Sequence, residues 1–173
     1  MRNHLALVGF MASGKSTIGK RLARKLHVPF VDIDAVIEAD HGPISDVFYN
    51  HGEKTFRKFE HDAIAHALDG EPSVISLGGG AVTFEPSLKL LKKRTYRIFI
   101  KVPPEQILGR LRRSAVVRPL LGPQPALHKI KDLYIKRMPL YAHADLTIEA
   151  GDLSTPQIVD HIVDWMHRKK IAL

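Results

Sequence analysis

Gly9-Phe10-Met11-Ala12-Ser13-Gly14-Lys15-Ser16-Thr17 satisfies the pattern G-x-x-x-x-G-K-[ST] at every fixed position. Ahead of it stands the apolar run Leu5-Ala6-Leu7-Val8, with the composition of a strand buried on both faces. Behind it, Ile18, Leu22 and Leu26 recur at helical spacing with Ala23 beside them, which predicts a helix over about 15–26. A phosphate-binding loop requires this strand–loop–helix context. Gly9 and Gly14 admit backbone conformations closed to residues with a Cβ, so that successive N–H groups turn inward on phosphate oxygens. The helix that follows adds its positive N-terminal end. Ala12, Ser13, Gly14, Lys15, Ser16 and Thr17 are therefore the expected contacts of a nucleoside triphosphate. Lys15 would reach the β and γ phosphates, and the Ser16 hydroxyl would ligate Mg²⁺.

Working outward, short apolar runs alternate with helical patterns. The runs are Leu5–Val8, Phe30-Val31, Val74–Leu77, Tyr96–Val102 and Leu146–Ile148. Helices are expected at about 15–26, 34–40, 44–50, 53–69, 86–93, 104–113, 125–143 and 155–170. Such alternation implies an α/β fold, a parallel sheet flanked by helices on both faces, with ligands beyond the C-terminal strand ends. At 173 residues the chain is expected to form one domain, 1–173.

Composition narrows the function. The chain has no cysteine, so disulfides and thiolate metal sites are excluded. No stretch reads as a signal peptide or membrane span, and cytoplasmic location is the expectation. The net charge of +8 is spread in short groups without interleaved aromatics, which argues against a nucleic-acid partner and suits small anionic ligands. The only asparagines are Asn3 and Asn50, so the N-K-x-D motif that reads guanine is impossible. Ten histidines are present, but no H-E-x-x-H.

The magnesium acid has to be sought away from the best buried run. Val74–Leu77 ends in Gly78-Gly79-Gly80 and offers no carboxylate. Asp32 and Asp34 follow a short apolar run and would share a side if the strand were still extended there. One of them would serve Mg²⁺ through water and the other an acceptor hydroxyl; Asp34 could equally cap the next helix. The three glycines expose bare backbone at the sheet's edge, which suits a small polar ligand. Ser114 to Pro125 is broken by Pro119, Gly122, Pro123 and Pro125, has the length of a lid, and carries Arg118. Arg57 and Arg137 are forks suited to a carboxylate, although each considered alone reads as a surface arginine.

These stretches together resemble shikimate kinase nearly end to end. The phosphate loop, Asp32-Ile33-Asp34, Gly52-Glu53-Lys54-Thr55-Phe56-Arg57-Lys58-Phe59-Glu60, Leu77-Gly78-Gly79-Gly80-Ala81-Val82, Arg118-Pro119-Leu120-Leu121 and Arg137-x-Pro139-Leu140-Tyr141 are similar to that family's motifs, in order. The resemblance implies a P-loop kinase of nucleoside-monophosphate-kinase-like fold, with a five-stranded parallel sheet, a lid at about 112–125 and a substrate-binding helical region at about 33–61. It implies transfer of the ATP γ-phosphoryl group to the 3-hydroxyl of shikimate, with Mg²⁺. Asp34 would orient that hydroxyl, Asp32 would bind Mg²⁺ through water, and Arg57 and Arg137 would clamp the shikimate carboxylate. Gly78, Gly79 and above all Gly80 would contact substrate, with Phe48 and Phe56 against the carbocycle. Arg118 would descend with the lid. The family's adenine-stacking arginine falls among Arg110, Arg112 and Arg113, with Arg112 or Arg113 favoured, and Pro156 belongs to the adenine loop. The chain is expected to act as a monomer. A gluconate or nucleoside kinase of the same fold, or a nucleotide-binding module without turnover, are the competing expectations.

Overall fold

The apolar run ahead of the phosphate loop forms strand β1 (His4–Val8), and all five of its residues are buried. Burial of consecutive residues, whose side chains alternate between faces, requires a covered sheet on both sides. The computed structural model describes residues 2–114, 119–122, 124 and 126–173. β1 lies between β3 (Val74–Ser76) and β4 (Thr95–Lys101), with β2 (Phe30–Asp32) and β5 (Leu146–Glu149) at the edges. All four pairings are parallel, so every strand end faces the same way. The register sets Asp32 opposite Ser76 and Ser76 opposite Leu7, which brings the ends of β2 and β3 level with the exit of β1.

Helices α1 (Lys15–Leu26), α2 (Ile33–His41), α3 (Ile44–Asp69), α4 (Glu85–Arg94), α5 (Pro104–Arg112), α6 (Leu127–Tyr141) and α7 (Thr155–Lys169) follow the expected alternation. The face of α1 that packs inward carries Ile18, Gly19, Leu22 and Ala23, the stripe legible in the sequence. Leu5, Leu7, Ile75, Ile98 and Ile100 are wholly buried, each contributing roughly 1.5–3 kcal/mol of hydrophobic stabilisation. Gly9 leaves β1 at φ +149°, and a Cβ there would lie 2.6 Å from the Ile100 carbonyl oxygen of β4. Glycine at this position is thus required by contact as well as by conformation.

The helices expected at 44–50 and 53–69 are both present within α3, separated by a kink at Gly52, whose φ of +77° and ψ of 169° are not helical. One expectation is corrected. Asp32 and Asp34 do not share the face of a strand: β2 ends at Asp32 and α2 begins at Ile33. Asp32 stands at the N-cap of α2 and Asp34 in its first turn, and the Asp32 side chain makes no capping hydrogen bond. Of the expected lid, Arg118 lies outside the described residues, while Pro119 and Leu120 lie within them. No described helix is long and apolar enough to cross a membrane.

Candidate active site

The phosphate loop has positive φ at Gly9, Ala12 and Gly14. Such turns direct successive backbone N–H groups into one concavity suited to anionic oxygen. Gly14 is the N-cap of α1 and supplies no side-chain cap, so the helix's first amides stay available to a ligand. Lys15 is buried, and its Nζ donates to the carbonyls of Gly9 and Phe10 at 2.9 and 2.8 Å. Ser13 is buried within the loop, its Oγ 3.4 Å from Lys15 Nζ. The Ser16 hydroxyl donates to Asp32 Oδ2 at 2.5 Å and lies 3.4 Å from the Ser76 hydroxyl. Ala12, Gly14, Lys15, Ser16, Thr17, Asp32 and Asp34 line one cavity of about 560 Å³.

A second cavity of about 460 Å³ adjoins it, and Met11, Asp34 and Gly79 line both. Its walls carry Arg57, Glu60 and Arg137, with Ile44, Phe48 and Phe56 as an apolar side and Pro119 and Leu120 at the mouth. Phe48 and Phe56 pack with ring centroids 4.6 Å apart. The two arginines are 6% and 4% exposed, which reverses the surface reading their local sequence suggests. Arg57 Nη1 donates to Glu60 Oε2 at 2.6 Å, and Nη2 donates to Glu53 at 3.0 Å. Burial works against the Arg57 charge, but Glu60 and Glu53 more than offset it and raise its pKa. Arg137 carries an Nη1 that is buried with no hydrogen-bond partner. A buried cation with an unused donor costs free energy unless an anion meets it. The pocket is therefore suited to a small acid.

Each of the three glycines faces a different wall. A Cβ at Gly78 would lie 2.9 Å from Asp34 Oδ1, one at Gly79 would lie 3.0 Å from the Met11 amide nitrogen, and one at Gly80 would lie 2.6 Å from Arg57 Cζ. The run is an ordered turn, since Ala81 N–H donates to Gly78 O at 3.1 Å and Thr83 N–H to Gly80 O at 2.9 Å. Tyr141 donates to the Gly79 carbonyl from α6, and burial pushes its phenol up to about 12.

Most of the expected site comes together. Asp34, Arg57, Arg137 and the three glycines line the second cavity; Ala12, Gly14, Lys15, Ser16, Thr17 and Asp32 line the first. Arg112 and Arg113 are exposed at the end of α5, Pro156 is exposed in the first turn of α7, and none of the three lines either cavity. Of Arg110, Arg112 and Arg113, it is Arg110 that reaches the phosphate loop, where its Nη1 donates to Ala12 O at 3.1 Å. Glu60, present in the sequence only as part of a motif, turns out fully buried with Oε1 unpaired. Its position three residues after Arg57 on a helix was the available signal. Burial, first, and the neighbouring Asp34 push the Glu60 carboxyl up to about 7 against the pull of Arg57. Among the described residues, no three His, Cys, Asp or Glu side chains gather as a metal site.

A parallel sheet, a phosphate loop at its central strand and, beside that loop, a cavity walled by two buried arginines define a P-loop kinase of small molecules. The model of the shikimate kinase family matches residues 11–167. The chain is 45% identical over 166 residues to shikimate kinase of Nitrobacter winogradskyi, covering 95% of this chain and 77% of that one. It is 40% identical to shikimate kinase of Sulfurihydrogenibium sp., covering 98% of this chain and all of the relative. The solved shikimate kinase of Acinetobacter baumannii in complex with shikimate superposes with TM-score 0.92 at 32% identity, over 99% of this chain and 96% of that one. The chain belongs to the shikimate kinase family: it is an ATP-dependent enzyme that phosphorylates the 3-hydroxyl of shikimate, a step of the chorismate pathway. The gluconate and nucleoside kinase readings are thereby set aside.

Two outcomes follow from the geometry. Gly80 has φ −106°, open to alanine, so the effect of Gly80→Ala reports on the space beside Arg57 rather than on backbone strain. The variant should raise KM for shikimate about tenfold, about 1.4 kcal/mol, with KM for ATP within about twofold; an unchanged shikimate KM contradicts the contact. Glu60 has its pKa raised from 4.5 to about 7, so between those values the folded protein holds a proton that the unfolded chain lacks. Its contribution to stability is full below pH 4.5 and is lost as pH rises through 7. Urea unfolding should show the stability of the wild type falling relative to Glu60→Gln across that window; a difference flat with pH contradicts the shift.

Proposed function

We propose that the two adjoining cavities divide the reaction, with ATP in the first, shikimate in the second and Asp34 at the boundary. The observation that carries this reading is that Asp34 lines both cavities. Arg57 and Arg137 hold the shikimate carboxylate from α3 and α6, and the bare backbone of Gly78 to Gly80 lets the ring approach closely. Phe48 and Phe56 supply the apolar wall against which the carbocycle rests. Clamped at the carboxylate, the acceptor presents its 3-hydroxyl to Asp34, which orients the oxygen toward the γ-phosphorus and takes its proton as the bond forms. Little covalent work is left to the protein, because phosphoryl transfer is governed by positioning and by charge stabilisation.

On the phosphate side, the amides of residues 12 to 17 and Lys15 balance the triphosphate charge. Ser16 Oγ and the Asp32 carboxylate stand together as hard oxygen donors, a set that fits Mg²⁺, which takes one or two carboxylates and completes its shell with phosphate oxygens and water. When bound, the ion supplies charge neutralisation on the phosphates. Ser16 would hold it directly and Asp32 through water. Arg118, outside the described residues, is assigned by the family pattern to the lid, where it would add positive charge over the transferring group. Arg112 or Arg113 and Pro156 are assigned to adenine on the same pattern. The reading is completed by a lid at about 112–125, a substrate region at about 33–61, and action as a cytoplasmic monomer.

Release of ADP, followed by a coupled assay with and without shikimate, tests the division. Asp34→Asn should lower kcat by about 100-fold or more while ATP binding measured by calorimetry is retained. Near-normal turnover in that variant would sink the role of Asp34.

A further inference from the structure

Arg110 makes a contact that the roles above do not use. Its Nη1 donates to the carbonyl of Ala12 at 3.1 Å and stands 3.8 Å from where a Cβ of Gly14 would lie. The guanidinium therefore covers the two loop residues with left-handed backbone. Ala12 is the unusual one, because at φ +57° it holds a conformation that its Cβ disfavours. The other described non-glycine residues with positive φ, His27 and Lys170, are helix C-caps whose N–H groups bond back to the last helical turn. Ala12 lies in a loop and ends no helix.

The strained residue sets the direction of a peptide that matters. In a trans peptide the carbonyl and the next N–H point opposite ways. With Ala12 O turned out to Arg110, the Ser13 N–H turns into the loop, where it donates to Phe10 O at 3.3 Å. The carbonyls of Gly9 and Phe10 are held by Lys15, whose proposed partner during the reaction is phosphate. Arg110 comes from a different helix and is independent of that duty. It sits two residues before the end of α5, so it also fastens the base of the segment assigned to the lid.

We propose that Arg110 is a positioning residue, holding the Ala12–Ser13 peptide of the phosphate loop in its strained orientation, so that triphosphate affinity depends on it even without a base. The proposal rests on the phosphate loop being the triphosphate site. It differs from an adenine contact, for which Arg110 was one of three candidates in the sequence.

The test is calorimetric titration with inorganic tripolyphosphate and, separately, with ATP, each with Mg²⁺. Wild type should bind both. Arg110→Ala should weaken tripolyphosphate about tenfold, the scale of one charge-assisted hydrogen bond, and Arg110→Lys should retain most of the affinity. Ala12→Gly placed in the Arg110→Ala background should recover affinity to within about threefold, because glycine adopts this conformation without strain. Far-ultraviolet circular dichroism checks that each variant is folded, and an unfolded Arg110→Ala leaves Arg110→Lys against Arg110→Gln to decide in the same assay. Two results overturn the proposal: tripolyphosphate affinity unchanged while ATP affinity falls, which assigns the arginine to adenine, or a loss that Ala12→Gly does not restore. Failure of wild type to bind tripolyphosphate instead overturns the reading of the loop.

Discussion

The buried ion pair between Arg57 and Glu60, 2.6 Å apart on one face of α3, is the contact around which the acceptor pocket is organised. Glu60 is fully buried and its second oxygen has no hydrogen-bond partner, so the pair has little slack. Removing one member of a buried pair costs about 3–5 kcal/mol, because the other is left charged and unsolvated. Glu60 faces Gly78 and Asp34; Arg57 faces Gly80. The pair thus fixes the distance between α3, the glycine turn after β3 and the first turn of α2. A side chain in place of Gly78 or Gly80 would occupy the space of a charged group, which explains why the turn carries no Cβ.

Two kinds of positive environment meet at Asp34, and they are built differently. On the nucleotide side the charge is mostly backbone: helix amides and a nest, with Lys15 folded against the loop carbonyls. On the acceptor side the charge is two buried guanidinium groups with fixed geometry. Backbone dipoles suit a polyphosphate that presents many oxygens, whereas planar forks suit one carboxylate. Asp34 lines both cavities, the position that the proposed reading gives to the group orienting the acceptor hydroxyl.

The strand, phosphate loop and first helix were legible because each obeys a local rule: apolar continuity, glycine conformation and helical period. The sheet followed from alternation. Asp34 and the glycine turn were visible as residue types at a strand end. What stayed hidden was burial. Arg57 and Arg137 sit in helices rich in charge, and nothing within a few residues distinguishes an inward arginine from an outward one. Arg137 lies over the ring of Phe10, which belongs to the phosphate loop, and Arg57 is held by Glu60 one turn on and faces Gly80 of the turn after β3. Arg110, Arg112 and Arg113 pose the same difficulty at a helix end, where one residue of rotation decides which points at the loop. Gly52 falls between two helical patterns in the sequence, and the non-helical kink stands there. Asp32 and Asp34 read as strand neighbours because the sequence does not mark the residue at which extended backbone gives way to helix.

The central claim is that a cation-lined cavity recognises the acceptor by its carboxylate. Calorimetric titration of the nucleotide-free protein with shikimate and with shikimate methyl ester tests this directly. Shikimate should bind and the ester should bind at least about tenfold more weakly, since the buried guanidinium groups are then left without an anion. Equal affinity for acid and ester would contradict the account.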